Sequence, residues 1–446
     1  MKRKSSWIFF LLFATIPALQ AQERKALRLE EAVQLGLQNS KTLKAQQARI
    51  DQALAAQQEA KEKQLPDVGV SSAYLRLTNP SIAMKASNNN GGSGGGTGGS
   101  SPKVNQAMYG LLNVGLPIYQ GGKLQYGIQS ATLLAKAVQL DAISQQDEVI
   151  QTTIEAYANL FKARTAVRLM KENLEQARER VREFSNLEKN GLLARNDLLK
   201  AELQASNIEA SLLDAENNAQ IANLNMNLML GINTATELQL DTTGIERQPD
   251  TRPLEDFLGM ARKNREDAMA TGLRKQAAET AVKTVKTDYL PSVRLTGGYA
   301  AIHVPGFITV TNAINLGLGV NYSVSSLWKT KTKVQSAEAK VREWQAVEEQ
   351  QNDNITLQVS RSYMTVLSYR KKSEVYAKAV EQARENYRIT KNKYTNNLVT
   401  TADLLEADLA QLQANLSYTL SRADAFVAYH KLLQATGSLH QQYAKQ

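Results

Sequence analysis

The chain has 446 residues and a formal charge of +10, from 53 Lys and Arg against 43 Asp and Glu. It contains no Cys and only three His, at 303, 430 and 440, without metal-ligand spacing; this excludes a disulfide framework, a thiol nucleophile, a Cys-ligated metal and a lipidated N-terminal Cys. Basic residues are mixed with acids along the sequence and form no run interleaved with aromatics, so no nucleic-acid partner is expected, and no catalytic, metal or phosphate-cradling motif points to an enzyme or a cofactor.

Lys2, Arg3 and Lys4 precede an apolar run from Trp7 to Ile16, which reads as a signal peptide over 1–21 with cleavage after Ala21. No stretch of 18 consecutive apolar residues follows, so no membrane-spanning helix is expected. Residues 22–231 then read as one repeat. Helices are expected over 29–38 and 41–64, where Pro66 stops the second. Strands follow at about 67–79 and 105–118, and long helices at about 123–189 and 193–230. Uninterrupted by proline, the first long helix would reach roughly 100 Å at 1.5 Å per residue, so the sequence implies an elongated molecule. Val167, Met170, Leu174, Ala177, Val181 and Phe184 recur along it at spacings of 3 and 4, the seam of a coiled coil.

Residues 232–252 read as a linker, and 253–437 repeat the first unit. LEEAVQLGLQNS at 29–40 aligns with LEDFLGMARKNR at 254–265, and KQLPDV at 63–68 with DYLPSV at 288–293, at an offset of 225. NGLLARNDLLKAE at 190–202 aligns with NNLVTTADLLEAD at 396–408 at an offset of 206, so the first copy carries 225 − 206 = 19 extra residues. Those include the Gly-rich stretch NNNGGSGGGTGGS at 88–100, too flexible in composition to pack. The second copy is expected to have strands at about 292–304 and 308–324 and long helices at about 329–395 and 400–436, with a tail at 438–446. Its seam, Tyr376, Val380, Ala383, Tyr387, Thr390 and Tyr394, is more polar.

The segments between helices have period 2. Ile308, Val310, Ile314, Leu316, Leu318, Val320, Tyr322 and Val324 occupy even positions, against small or polar residues at odd ones. Leu112, Val114, Leu116 and Ile118 alternate in the same way with Asn113 and Gly115. Such alternation suits a transmembrane strand with lipid on one side and water on the other; a soluble amphipathic sheet is the alternative. Four strands leave two edges unpaired in lipid, so the chain would have to pool strands with copies of itself.

Taken together, the duplication, the Leu-Pro junctions at 65–66 and 290–291, GLPIYQGGK at 115–123 and the two tip sequences resemble the outer-membrane factor (TolC-like) family, the channel-tunnels of bacterial efflux and type I secretion. The resemblance spans about Leu27 to Gly437. It implies a mainly α fold with a membrane β-barrel part: a homotrimer whose twelve-stranded barrel sits in outer-membrane lipid, and whose helical tunnel projects into the periplasm. Residues 232–252 and the tail would form an equatorial belt. The expected partners are a periplasmic adaptor and an inner-membrane transporter, and the expected role is a passive exit duct for small molecules in a tripartite pump. A type I protein-secretion duct is the alternative on the same fold; a soluble periplasmic coiled-coil adaptor is one on another, against which the period-2 segments argue.

From the same resemblance, Asp403 and Glu406 are the candidates for an acidic entrance gate, with Asp197 and Tyr394 beside them. Thr400-x-x-Asp403 equally fits a helix cap, and Lys200 stands in the first copy where Glu406 stands in the second. Asn190, Gly191, Leu192, Leu193, Asn397, Leu398 and Val399 are the candidate adaptor contacts, tip-to-tip packing being their other reading. Pro66, Pro117 and Pro291 are taken as helix–strand junctions. The second copy departs from the first at its strand-to-helix turn, with Ser323 for Pro117 and Leu327-Trp328 for Gly121-Gly122.

Overall fold

A computed structural model describes residues 24–78, 104–245 and 252–443. The signal-peptide segment and the Gly-rich stretch lie outside the described residues. In chain order the elements are β1 (Arg24–Leu27), α1 (Leu29–Asn39), α2 (Lys41–Glu62), β2 (Asp67–Arg76), β3 (Gln106–Tyr119), α3 (Lys123–Lys189), α4 (Arg195–Leu230), β4 (Glu237–Leu240), α5 (Leu254–Asn264), α6 (Glu266–Lys286), a 3-10 turn (Thr287–Tyr289), β5 (Ser292–Val304), β6 (Ile308–Asn321), α7 (Ser326–Thr395), α8 (Thr401–Ala435) and α9 (Leu439–Tyr443). None of the described helices is long and apolar enough to cross a membrane. The chain divides into two units, residues 1–43, 145–264 and 356–446, and residues 44–144 and 265–355.

The first unit is helical. Its largest core gathers Val33 of α1, Ile154, Tyr157 and Leu160 of α3, Met226 and Leu230 of α4, Phe426 of α8, and Leu439 and Tyr443 of α9. The linker contributes to the same core through Leu238, because β4 pairs in parallel with β1, from Arg24↔Glu237 to Leu27↔Leu240. Asn223 and Asn227 of α4 hold β4 in place by donating to the Thr236 carbonyl, each at 2.8 Å. The buried Tyr157 hydroxyl lies 3.0 Å from the Leu27 carbonyl and 2.7 Å from that of Asp241. This strand pair was not expected from the sequence: four residues are too few to display a period.

Along the α3–α4 hairpin, Leu174 and Ala177 meet Ile208 and Leu212, with Val167, Met170 and Ala205 partly buried around them. The 3-4 stripe thus faces α4, the next helix in the chain. Every residue of the second-copy stripe is only half-buried.

The second unit contains the sheet, in the order β2-β3-β5-β6 and antiparallel throughout. Each repeat supplies one adjacent pair, and β3 with β5 joins them. Register fixes which side chains share a face, since paired residues point the same way and neighbours along a strand point oppositely. Val70, Leu112, Tyr299 and Ile314 are successive partners across the sheet, and so are Leu116 with Leu295, and Leu295 with Leu318. The opposite face carries Ser71, Asn113, Gly115, Thr296, Asn315 and Gly317. On β6 the apolar face is bare: Ile314, Leu316, Leu318 and Val320 are 80%, 78%, 68% and 69% exposed.

Two irregularities correct the sequence reading. Ala300↔Ala313 is followed by Ile302↔Val310, so β6 carries an extra residue there, with Asn312 at φ 60°. Val310 therefore shares a face with Ala313 and not with Ile314, and the even-numbered series from 308 to 320 is two half-series on opposite faces. The second irregularity lies between Pro117 and Tyr119, so Pro117 sits inside β3 at a bulge and not at a helix–strand junction; it has no N–H to give the ladder. Pro66 and Pro291 do stand between helical and extended segments.

Some boundaries also differ from expectation. β6 ends at Asn321, before Tyr322 and Val324, and α7 begins at Ser326, ahead of the expected 329. Ser326 and Leu327 donate to the Ser323 and Val324 carbonyls, so a serine-rich turn starts the second helix early. In the first copy Gly121 and Gly122, at φ 61° and 87°, hold the chain out of the helix until Lys123. α4 begins at Arg195, two residues later than 193, and β2 ends at Arg76, short of 79.

Replacing Leu174 with Asp would place an unpaired charge in a closed hydrophobic contact. A loss on the order of 3 kcal/mol or more is expected, read as a lower thermal midpoint of the purified protein in detergent. An unchanged midpoint would contradict the packing of α3 on α4.

Candidate functional site

The candidate residues lie at the two helix–turn–helix tips of the first unit. In the first tip α3 ends at Lys189, and Gly191 turns the chain at φ 73°. Gly191 donates to the Glu188 carbonyl and Leu192 to that of Leu187, at 2.9 and 2.8 Å. The second tip repeats this geometry: Asn397, the counterpart of Gly191, adopts φ 57°, with Asn397 donating to Tyr394 and Leu398 to Lys393, both at 2.9 Å. A left-handed residue is needed there, and Asn is the side chain that tolerates it best after Gly.

The helices that leave the turns start differently. Thr400 and Asp403 form a reciprocal capping box: the Asp403 N–H donates to the Thr400 hydroxyl at 3.2 Å, and the Thr400 N–H to the Asp403 carboxylate at 2.8 Å. Ala194, the residue before α4, offers no side-chain cap, and Asp197 instead pairs with Lys200 at 3.1 Å. The Thr400 hydroxyl, which also donates to Asp403, and then its backbone N–H hold the Asp403 carboxyl below the usual range. Its stabilising effect on α8 is therefore present above the ordinary carboxylate pKa and lost as pH falls through the depressed value. Glu406 is exposed one turn further on and makes no contact that capping would require.

Tyr394 is not free. Its ring lies 5.8 Å from that of buried Phe184, and its hydroxyl is 3.4 Å from Thr401 Oγ1. It belongs to a tip core of Phe184, Leu198, Ala201 and Leu404, with Val181, Leu187, Leu193 and Tyr387 around it, so helices of both repeats pack together there. Leu193 turns inward to this core and Val399 is half-buried, whereas Leu192 and Leu398 at the turns are 74% and 72% exposed. Asn190 and Asn397 are also exposed.

One feature beside the tip core was not anticipated. Arg180 of α3 and Asp408 of α8 form a buried ion pair, Nη1 to Oδ2 at 2.9 Å, with side chains 9% and 3% exposed. Arg180 Nη2 also donates to the Tyr387 hydroxyl at 3.3 Å. Burial alone would favour the neutral guanidine, but the bonds to Asp408 and Tyr387 outweigh it and hold Arg180 charged. The sequence contained a signal for this pair. Leu404, Asp408 and Leu412 are spaced by four, which puts an acid on the buried face of a helix. Changing Asp408 to Asn should cost about 3–5 kcal/mol by stranding a buried guanidinium, whereas changing Arg180 to Met and Asp408 to Leu together should cost much less. Thermal melts of the two variants would separate these outcomes.

The opposite ends of the long helices meet the sheet. On its polar face, among the described residues of the strands, Asp67 and Arg294 are the only charged side chains. Arg294 lays its stem over Gly115, where a Cβ would meet it in ordinary van der Waals contact. The buried His430 of the first unit, 3.2 Å from the Tyr443 hydroxyl, helps seat α9 and is kept neutral by its burial.

Residues 32–232 and 257–438 match the family described as outer membrane efflux protein, once in each repeat. No curated protein matches the sequence. Among solved structures, the outer membrane protein VceC from Vibrio cholerae is similar with a TM-score of 0.74 at 18% identity, covering 92% of this chain and 96% of that one. The Campylobacter jejuni CmeC outer membrane channel gives 0.77 at 18% identity, with 92% and 86% covered. The open state of the Neisseria gonorrhoeae MtrE outer membrane channel gives 0.71 at 16% identity, with 92% and 89% covered. At these identities the likeness establishes the fold.

Proposed function

The chain belongs to the outer membrane efflux protein family, whose members are channels and not enzymes, and from that premise we propose that it is the passive exit duct of a tripartite pump for small molecules. The observation that carries this reading is the bare apolar face of β6, beside a sheet face of glycine, serine and asparagine. Water would penalise a row of four large exposed aliphatics, and bilayer hydrocarbon would not. The unpaired edges β2 and β6 supply the reason to assemble: three copies of a four-stranded sheet make a twelve-stranded barrel in the bacterial outer membrane, with Asp67 and Arg294 facing its lumen.

The helical tips are then the periplasmic entrance, and residues 232–252 with the tail form a belt around the tunnel. Leu192 and Leu398, exposed at the turns, suit the apolar grip of a periplasmic adaptor, with Asn190, Gly191, Asn397 and Val399 completing that surface, while Leu193, turned into the tip core, supports it from within. An inner-membrane transporter supplies the energy. Asp403 caps α8 and, with Glu406, contributes to an acidic ring around the opening; the ionised state of Asp403 serves both roles. Tyr394 and Asp197 support the ring from within the tip core and from the first-copy turn.

Detergent extraction from the outer-membrane fraction as a trimer, followed by conductance in planar bilayers, tests the duct. A water-soluble monomer without conductance would end this reading. Changing Asp403 to Asn and Glu406 to Gln together should reduce cation preference and weaken block by multivalent cations added on the tip side. Asp197→Asn should act less, because Lys200 already neutralises it. If the carboxylates only cap the helix, the double variant will melt earlier with unchanged selectivity.

A further inference from the structure

At the sheet-proximal end of α7 the second unit holds a cavity of about 480 Å³ whose walls include Lys123, Asp288, Ser326, Lys329, Thr330 and Lys333. We propose that this cavity binds a phosphate group, and the experiment below separates a phospholipid headgroup from free phosphate as its source.

Charge is the first argument. Asp288 accepts from Lys123 at 2.8 Å and from Lys333 at 2.9 Å, so one carboxylate stands between two ammonium groups. Both lysines hold its carboxyl below the usual range. One positive charge is left over, and exposed Lys329 adds a second that no described carboxylate offsets. A phosphodiester supplies one negative charge and several acceptor oxygens, a match for ammonium donors held at fixed spacing.

The second argument is independent of charge. Ser326 and Thr330 lie one turn apart on α7, both more than nine-tenths buried, and neither hydroxyl has a hydrogen-bond partner. A buried hydroxyl without a partner costs stability, so a pair of them on the wall of one cationic cavity points to an acceptor that enters from outside. The backbone N–H groups of Ser326 and Leu327 are already used by the preceding turn, so the lysines and hydroxyls, and not the helix end, define the site.

Ser292 and Asn321, partners across the sheet on the same face as Arg294, also line the cavity, so it lies at the end of the polar face and not of the apolar one. The probes below decide whether the phosphate is free or carried by a lipid.

The test uses the full-length protein in a non-ionic detergent, with three probes: dioctanoyl phosphatidylglycerol, dioctanoylglycerol with the same chains and no phosphate, and inorganic phosphate. Phosphatidylglycerol should raise the thermal midpoint and remain bound in native mass spectrometry, whereas dioctanoylglycerol should do neither. Lys329→Gln and Thr330→Val should each weaken phosphatidylglycerol binding by about tenfold, the loss of one charge-assisted or one hydroxyl contact. Neither should lower the midpoint without lipid, because neither side chain has a partner in the protein to lose. An equal effect of inorganic phosphate would keep the site and assign it to free phosphate, whereas an effect of phosphatidylglycerol alone would assign it to a lipid headgroup. Equal binding of dioctanoylglycerol, no effect of either phosphate probe, or undiminished binding in both variants would overturn the site. Normal conductance with no phosphate effect would reject this cavity alone, whereas a chain that never enters membranes would reject the duct first.

Discussion

A sheet of β2, β3, β5 and β6 ends in two rows of backbone donors and acceptors with nothing to bond. In water those rows are solvated. In hydrocarbon each unmade bond costs several kcal/mol, so lipid exposure and an open edge cannot coexist. The apolar face of β6 and the open edges of β2 and β6 therefore make contradictory demands on a single copy, which the proposed closure with further copies would resolve. The long helices inherit this arrangement. Each repeat delivers one hairpin to the sheet and one to the tip, so in the proposed barrel the number of copies that closes the strands would also set the number of helices.

The tip answers a different demand. Its core is small, shared by helices of both repeats and stiffened by the capped α8 and the Arg180–Asp408 pair. The exposed leucines sit on the turns outside this core, where they can meet a partner without disturbing it. At Asp403 the bond to Thr400 that starts the helix also keeps the carboxylate charged to lower pH than an ordinary carboxylate. Buried ion pairs add little net stability compared with apolar packing. The Arg180–Asp408 pair is better understood as fixing which helix faces which, since a slip would separate its charges.

Much of the fold was legible in the sequence because it is written in periods. The 3-4 stripe at Leu174 and Phe184 marks the helical seam, the alternation through Leu316 and Leu318 marks the strand face, and the repeat places Asn397 on Gly191 at the turn. What escaped has no period. The bulge at Asn312 inverts the face of Val310 while preserving the even-numbered pattern, so counting alone could not detect it. The β1–β4 pair is four residues long and joined across most of the first repeat. The Arg180–Asp408 pair lies across two repeats, and only the spacing of Asp408 between Leu404 and Leu412 hinted at it. Of the candidate site, the capping geometry was readable from Thr400 and Asp403, but the inward turn of Tyr394 and Leu193 depended on how two hairpins pack.

The repeat arithmetic gives that ion pair a further meaning. At the offset that aligns the tips, Arg180 corresponds to Asn386, Asp408 to Glu202 and Tyr387 to Val181. The acid keeps its charge in the other copy as Glu202, but the guanidinium and the phenol have no counterpart there, so the bond cannot be drawn a second time by rotating one repeat onto the other. A ring of identical second repeats could never form it, because it would set Asn386 against Asp408. The two halves of this chain are therefore not interchangeable at this position. Fusing two copies of the second half would yield a plausible backbone with an uncompensated acid at its centre, whereas two copies of the first would set Arg180 against a glutamate.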